Sequence, residues 1–177
     1  MEERERKHLA RVIRGQRWAT LATHGQGAPL ASMVAYACEP DFGGFLMLLS
    51  GLSLHTRNLL TSPPASLVIS EPDTGAGNPQ TLARVSIQGE ARPLGKDSPG
   101  YAEAKAVYEK RLSASAPLFG FEDFSLFCLV PREARFIAGF ARAYTMSAEE
   151  LKEAASGHDS GKGRARGSIE KKPSPIA

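Results

Sequence analysis

The residues best equipped for chemistry crowd into one stretch, Leu49-Ser50-Gly51-Leu52-Ser53-Leu54-His55-Thr56-Arg57-Asn58-Leu59-Leu60. An apolar run, Phe45 to Leu49, reads as a buried strand that stops at Ser50-Gly51 and hands over to a short helix. Ser53 is placed to cap that helix, with His55, Thr56 and Arg57 in its first turn. A helix N-terminus carries unpaired N–H groups and a partial positive charge, so it attracts anions. A guanidinium, an imidazole and two hydroxyls beside it make a phosphate cradle. First turns ordinarily favour Asp or Glu, and a bound phosphate would supply the missing negative charge. The plainer reading is a polar first turn on the surface, which costs only about a few tenths of a kcal/mol. No base-and-acid pair accompanies Ser50, which argues against hydrolase chemistry. His55 reads better as a phosphate partner than as a general base.

The elements that must hold this stretch are short strands and turns. Glu3 to Gln16 has a helical apolar face of Leu9, Val12 and Ile13. Trp18 to Thr23 alternates as a strand, His24-Gly25-Gln26-Gly27 is a hairpin turn, and Pro29 to Ala37 is the second strand. In it Ser32 and Val34 share one face, Met33 and Ala35 the other. Pro40 to Gly44 is a turn before the Phe45 strand, and Ala65 to Ser70 is a fourth strand. Thr81 to Pro93 is a long strand with Ala83, Val85 and Ile87 on one face and Leu82, Arg84, Ser86 and Gln88 on the other. Gly89 interrupts it as a bulge. Ser98 to Leu112 is a helix, Ser113 to Gly120 a loop, and Phe124 to Val130 with Arg132 to Ile137 a strand pair joined near Pro131. Gly139 to Ala143 extends that pair. Ser147-Ala148-Glu149-Glu150 is a capping box opening a last helix. Strands joined by short turns, with few crossover helices, predict a mainly β, α+β chain: an antiparallel barrel with peripheral helices.

Composition narrows the setting. The 177 residues suit one domain with a substantial core. Of the +3 net charge, Ser156 to Ala177 supplies all, with five basic and two acidic residues, leaving 17 of each in Met1 to Ala155. A neutral body argues against nucleic-acid binding. The basic tail reads as disordered and solubilising, with acidic lipid or nucleic acid as its other conceivable contacts. No apolar run approaches the ~20 residues of a membrane span, and the charged N-terminus lacks a secretory signal. Cys38 and Cys128 have no metal-ligand spacing and read as free thiols of a cytoplasmic protein.

Five segments together resemble a known family. They are Thr20-Leu21-Ala22-Thr23, Ala31-Ser32-Met33-Val34-Ala35-Tyr36, Ser50 to Asn58, Ala83-Arg84-Val85-Ser86-Ile87-Gln88-Gly89, and Gly139-Phe140-Ala141-Arg142-Ala143. In this order they resemble the FMN-binding split-barrel superfamily, the pyridoxamine 5′-phosphate oxidase-like group, and within it the haem-utilisation branch of HugZ-type and CREG-like barrels. The resemblance implies a six-stranded antiparallel split β-barrel over residues 1–145, a short C-terminal helix over 146–155 and the tail over 156–177. It implies a homodimer with FMN in clefts between the subunits. Ser32, Met33, Val34 and Tyr36 would run along the flavin. Ser50, His55, Thr56, Arg57 and Asn58 would hold its phosphate, and Arg84 would reach the ring. The implied activity is an FMN-dependent oxidoreductase acting on a small molecule, in which hydride moves to or from the flavin and Arg84 stabilises the reduced ring. The alternatives are a haem-binding or haem-degrading protein, a flavin carrier without catalysis, and use of the deazaflavin F420.

The chain departs from the oxidases in several places. Ser32 and Ala37 stand where they carry Arg and Lys, and the terminal Trp- and Arg-rich substrate segment is missing, so vitamin B6 synthesis is not expected. A haem ligand requires a placed histidine; His158 falls in the tail, and His8 and His24 read as exposed. On these residues FMN is the expected cofactor, and no metal site is expected.

Overall fold

The computed structural model describes residues 1–25, 27–139 and 142–156. Helix α1 (Glu3–Gly15) leads into strand β1 (Trp18–Gly25), which turns tightly into β2 (Ala28–Ala35). Gly27 in that turn has φ +76°, a conformation that favours glycine. After Tyr36 comes the short β3 (Ala37–Cys38), then β4 (Phe45–Ser50), helix α2 (Leu54–Thr61) and β5 (Pro64–Ser70). β6 (Arg84–Pro93), helix α3 (Tyr101–Arg111), β7 (Phe124–Ile137), β8 (Ala143–Ser147) and helix α4 (Ala148–Ser156) complete the chain.

All pairings are antiparallel, in the order β2-β1-β5-β6-β7-β4-β3, with β8 added to β7. β2 and β3 lie at opposite ends of that list but are one stretch of chain parted by Tyr36. This stretch pairs with β1 first and with β4 next, so the sheet closes on itself as a six-stranded split barrel. Closure removes the sheet edges that would otherwise need protection.

The interior follows from alternation. Leu21, Leu67, Ile69, Val85, Ile87, Met47, Phe127, Leu129 and Phe136 point inward and are buried. α1 adds Leu9, Val12 and Ile13 to the same core, and α4 adds Leu151, Ala154 and Ala155. A second, smaller core lies outside the barrel, where Ala104 and Tyr108 of α3, with Leu112 just after it, cover Leu46, Leu48, Leu126 and Cys128. The capping box is present: Ser147 N–H donates to Glu150 Oε2 (2.9 Å) and Glu150 N–H to Ser147 Oγ (3.3 Å).

Several expectations need correction. The two strands joined near Pro131 are one continuous 14-residue strand, β7. Its register against β6 skips between Gln88↔Glu133 and Gly89↔Pro131, which leaves Arg132 as the extra residue. The bulge sits beside Gly89 as expected, but the inserted residue belongs to the partner strand. A bulge tolerates Pro131 because no ladder N–H is required there. β6 starts at Arg84, because Pro79–Thr81 forms a 3-10 turn in which Asn78 Oδ1 accepts from Gln80 N–H (2.9 Å). Ser113–Gly120 is likewise 3-10 in character and not an open loop. Beyond Ile137 the chain reverses, and β8 runs back along β7 rather than extending it. Phe140, Ala141 and residues 157–177, the bulk of the basic tail, lie outside the described residues. Ser156 ends α4.

Both cysteines are free. Burial, and then the Glu39 carboxylate, push the Cys128 thiol up to about 11. In the unfolded chain the same thiol ionises near its ordinary value of 9.0. Its contribution to stability is therefore complete below pH 9 and is lost as the pH climbs towards 11. Iodoacetamide at pH 8 is expected to leave Cys128 of the folded protein unmodified and to label it in urea. Equal labelling in both states, read by peptide mass, would refute this burial.

Candidate cofactor site

The strand-to-helix junction is built much as its sequence suggests, but its polar groups are largely engaged with the protein. Ser50 ends β4, and its Oγ donates to Asp123 Oδ2 (2.7 Å) while accepting from Leu52 N–H (3.2 Å). Ser53 has the extended dihedrals of an N-cap, but its side chain makes no capping bond, so the expected Ser53 cap is not formed. Ser50 serves the turn instead. Asp123, 73 residues away, was not legible as a member of this junction, and it brings negative charge to the place where a phosphate was expected.

The first turn of α2 divides by face. Arg57 is exposed and its Nη2 donates to Leu52 O (3.0 Å), folding the guanidinium onto its own turn. His55 is half-buried, and burial holds its imidazole below the ordinary value. At neutral pH it offers a hydrogen bond and no charge. Thr56 is 2 % exposed, and its Oγ1 is buried with no partner among the described residues. Asn58 is 5 % exposed, and its Nδ2 donates to Thr23 Oγ1 (3.1 Å). A Cβ on Gly25 would come within 2.0 Å of Asn58 Oδ1. Asn58 therefore locks α2 to the hairpin end of β1.

The β2 residues alternate. Val34 is buried in the core, and Ser32 pairs with inward-facing Leu21. Met33 faces outward, half-exposed, with Thr20 Oγ1 3.2 Å from its Sδ. These three side chains cannot lie along one ligand face. Tyr36 is buried, and its hydroxyl donates to Ile13 O (2.5 Å). Arg84 Nη1 donates to Gln80 O (3.2 Å) and Leu82 O (3.1 Å). It opposes Ser70, whereas Gly89, at the α2 end of the barrel, opposes Ala65. Five strand residues separate the two levels, about 16 Å. Within one chain, Arg84 and the α2 turn do not meet.

A feature that the sequence did not reveal lies on the outside of the sheet near α2. A shallow groove crosses β1, β5, β6 and β7, lined by His24, Pro64, Ser66, Gln88, Gly89 and Arg132 among others. His24 and Arg132 are exposed. The Gly89 and Pro131 signals mark its bulge, but only the register reveals that Arg132 is the inserted residue. On the same outer surface Trp18 is 55 % exposed and Met33 49 %. No group of three or more His, Cys, Asp or Glu among the described residues could hold a metal ion. No helix among them is long and apolar enough to cross a membrane.

The model of the CREG β-barrel family matches residues 2–152. The chain belongs to this family. The split barrel fits that membership and the pyridoxamine 5′-phosphate oxidase-like architecture expected from the sequence. The chloroplastic heme oxygenase HOZ of Arabidopsis thaliana is 32% identical over 151 residues, covering 83% of this chain and 44% of that protein. The heme oxygenase HutZ of Vibrio cholerae is 28% identical over 127 residues, 71% of either chain. A solved heme binding protein from Mycobacterium smegmatis superposes with TM-score 0.74 at 29% identity, covering 84% of this chain and 60% of that one. The chain thus spans less than half the length of its chloroplastic relative.

Proposed function

We propose that this protein binds haem and that haem breakdown is its class of activity, in place of the FMN-dependent oxidoreduction expected from the sequence. The observation that carries the reading is the 32% identity, over 83% of the chain, to a heme oxygenase. The geometry agrees on two points. The junction expected to cradle a flavin phosphate holds the Asp123 carboxylate against Ser50, and its one arginine, Arg57, is turned onto Leu52 O. The outer groove offers an imidazole (His24), a guanidinium (Arg132) and a carboxamide (Gln88) among small side chains, donors that haem can use. Bound haem would supply the iron at which dioxygen is reduced, and the chain's residues would bind, orient and shelter it.

FMN binding is kept as a second reading by one observation. The Thr56 hydroxyl is buried without a partner among the described residues, in the first turn of α2, where a helix leaves its leading backbone N–H groups without helical partners. A homodimer is part of the proposal under either cofactor. Exposed Trp18 and Met33 on a half-covered sheet supply an apolar face for a second copy. Sedimentation at micromolar concentration should give twice the chain mass, and a monomer would contradict the dimer.

The cofactor test is direct. Purified protein is mixed with hemin or with FMN, and excess ligand is removed on a sizing column. A Soret band that travels with the protein is the expected result. A retained flavin spectrum without hemin retention would overturn the haem reading in favour of the second. With an electron donor under air, bleaching of the Soret band marks an oxygenase, and a stable band contradicts the breakdown activity while leaving haem binding in place.

A further inference from the structure

We infer that the pocket between α1, β3 and α3 holds a phosphate group, gripped by Arg14 and Arg111 beside the Cys38 side chain. None of these residues lines the outer groove or belongs to α2, so the site stands apart from either cofactor.

The pocket is lined by Arg14, Cys38, Glu39, Pro40 and Arg111. The fold brings these together because α1 ends at Gly15, α3 ends at Arg111, and β3 runs into the Pro40 turn between them. Its volume is about 250 Å³, below the roughly 300–1,000 Å³ of pockets for drug-sized ligands. Size therefore favours a small ion or a small ester.

Backbone carbonyls hold both arginines in place. Arg14 Nη2 donates to Pro40 O (3.0 Å) and Ala155 O (3.0 Å), and its guanidinium lies 4.6 Å from the centroid of the Phe42 ring. Arg111 Nη2 donates to Arg14 O (2.6 Å) and Gln16 O (2.9 Å). In both, Nη2 alone is engaged, and Nε and Nη1 have no partner among the described residues. Arg14 Nη1 is also buried. An orphaned buried donor on a cation is costly, and a bound oxyanion would satisfy it.

The two charges converge on one place and lack a counter-charge. Burial pushes the Cys38 thiol up, and Arg14 and Arg111 both pull against it, so both guanidiniums act on the sulfur. The thiol stays neutral at neutral pH and compensates neither. Glu39 is the acidic residue of the wall, and its charge is coupled elsewhere. Burial and then Asp41 push its carboxyl up, and Lys152 opposes them. Its Oε2 lies towards Gly44, where a Cβ would come within 2.7 Å of it. Neither arginine forms an ion pair among the described residues. Two fixed guanidiniums with free N–H groups are the donor set that grips phosphate oxygens, in free phosphate or in a small phosphomonoester.

The test uses the full chain with inorganic phosphate, at an ionic strength held constant with sodium chloride. N-ethylmaleimide labelling of Cys38, read by peptide mass, should slow several-fold as phosphate saturates. The ion would cover the thiol and cancel the pull of both arginines. Calorimetric titration should show saturable binding, weakened about tenfold by Arg111→Gln, the loss of one charge-assisted hydrogen bond. Arg111→Lys should recover part of that loss. Arg92→Gln, which lies outside the pocket and pairs with Glu90 (2.8 Å), should bind as the wild type does. Glycerol phosphate binding more tightly than phosphate would mark a monoester site, and equal affinity a site for the free ion; either supports the pocket. Equal labelling of Cys38 in phosphate and in chloride overturns it, as does an Arg111→Gln variant that binds phosphate like the wild type. Circular dichroism checks that the variants fold, and the labelling of the wild type decides where one does not. Neither result bears on the haem reading.

Discussion

Gly89→Ala should destabilise the protein by about 3 kcal/mol or more, among the largest effects a single methyl can have. A Cβ at this position would lie 2.0 Å from Val130 O, 2.8 Å from Val130 C and 3.1 Å from Pro131 Cα. All three atoms are backbone, so no flexible side chain can swing away. Relief requires β6 and β7 to part at the point where Gly89 opposes Pro131 and Arg132 is inserted. The expected signature is a lower urea midpoint with an unchanged slope. Gly27 is the contrast: a Cβ there meets nothing within 4 Å, and its only penalty is the positive φ, about 1 kcal/mol. If Gly89→Ala lay within about 0.5 kcal/mol of wild type, an ordinary surface substitution, the described bulge would be wrong.

Tyr36→Ala should cost about 4 kcal/mol. Tyr36 is 1 % exposed and sits at the joint where one strand leaves β1 and joins β4. Its ring packs against Phe45, with centroids 6.3 Å apart, so truncation opens a cavity at the point of closure. Its hydroxyl donates to Ile13 O, in the last turn of α1, where carbonyls have no helical partner. Arg111 Nη2 serves the same helix end, donating to Arg14 O (2.6 Å) and Gln16 O (2.9 Å). Tyr36→Phe separates the two contributions and should cost about 1–2 kcal/mol, the loss of one buried hydrogen bond. A Tyr36→Ala variant that unfolds at the wild-type midpoint would mean that closure does not depend on this ring.

Alternation and capping were plain in the sequence. Ala83, just before β6, and Val85 and Ile87 within it are buried as their spacing requires, and Ser147 with Glu150 closes the box at α4. Both are local patterns, set by residues a few positions apart. Pro131 misled because its compatibility with a strand depends on a bulge shared with β6, 42 residues earlier at Gly89. Ser50 was singled out correctly as a junction residue, but its partner Asp123 comes from a distant turn. Arg84 looked available for a ligand because no spacing rule tells that Gln80 O and Leu82 O would take its guanidinium. His24 read as a mere turn residue, since the clamp of Asn58 on Thr23 and Gly25 exists only after α2 folds against β1. The candidate site was thus legible in its elements and not in its side-chain partners.

We propose that this barrel binds haem in preference to flavin. Thermal unfolding of the full chain, alone and with excess hemin or FMN, tests it without presuming a spectrum. A ligand that binds only the folded state raises the melting temperature, by an amount equivalent to about 2.7 kcal/mol at one hundred times its dissociation constant. Hemin should raise the melting temperature clearly, and FMN little or not at all. A rise with FMN alone would contradict it.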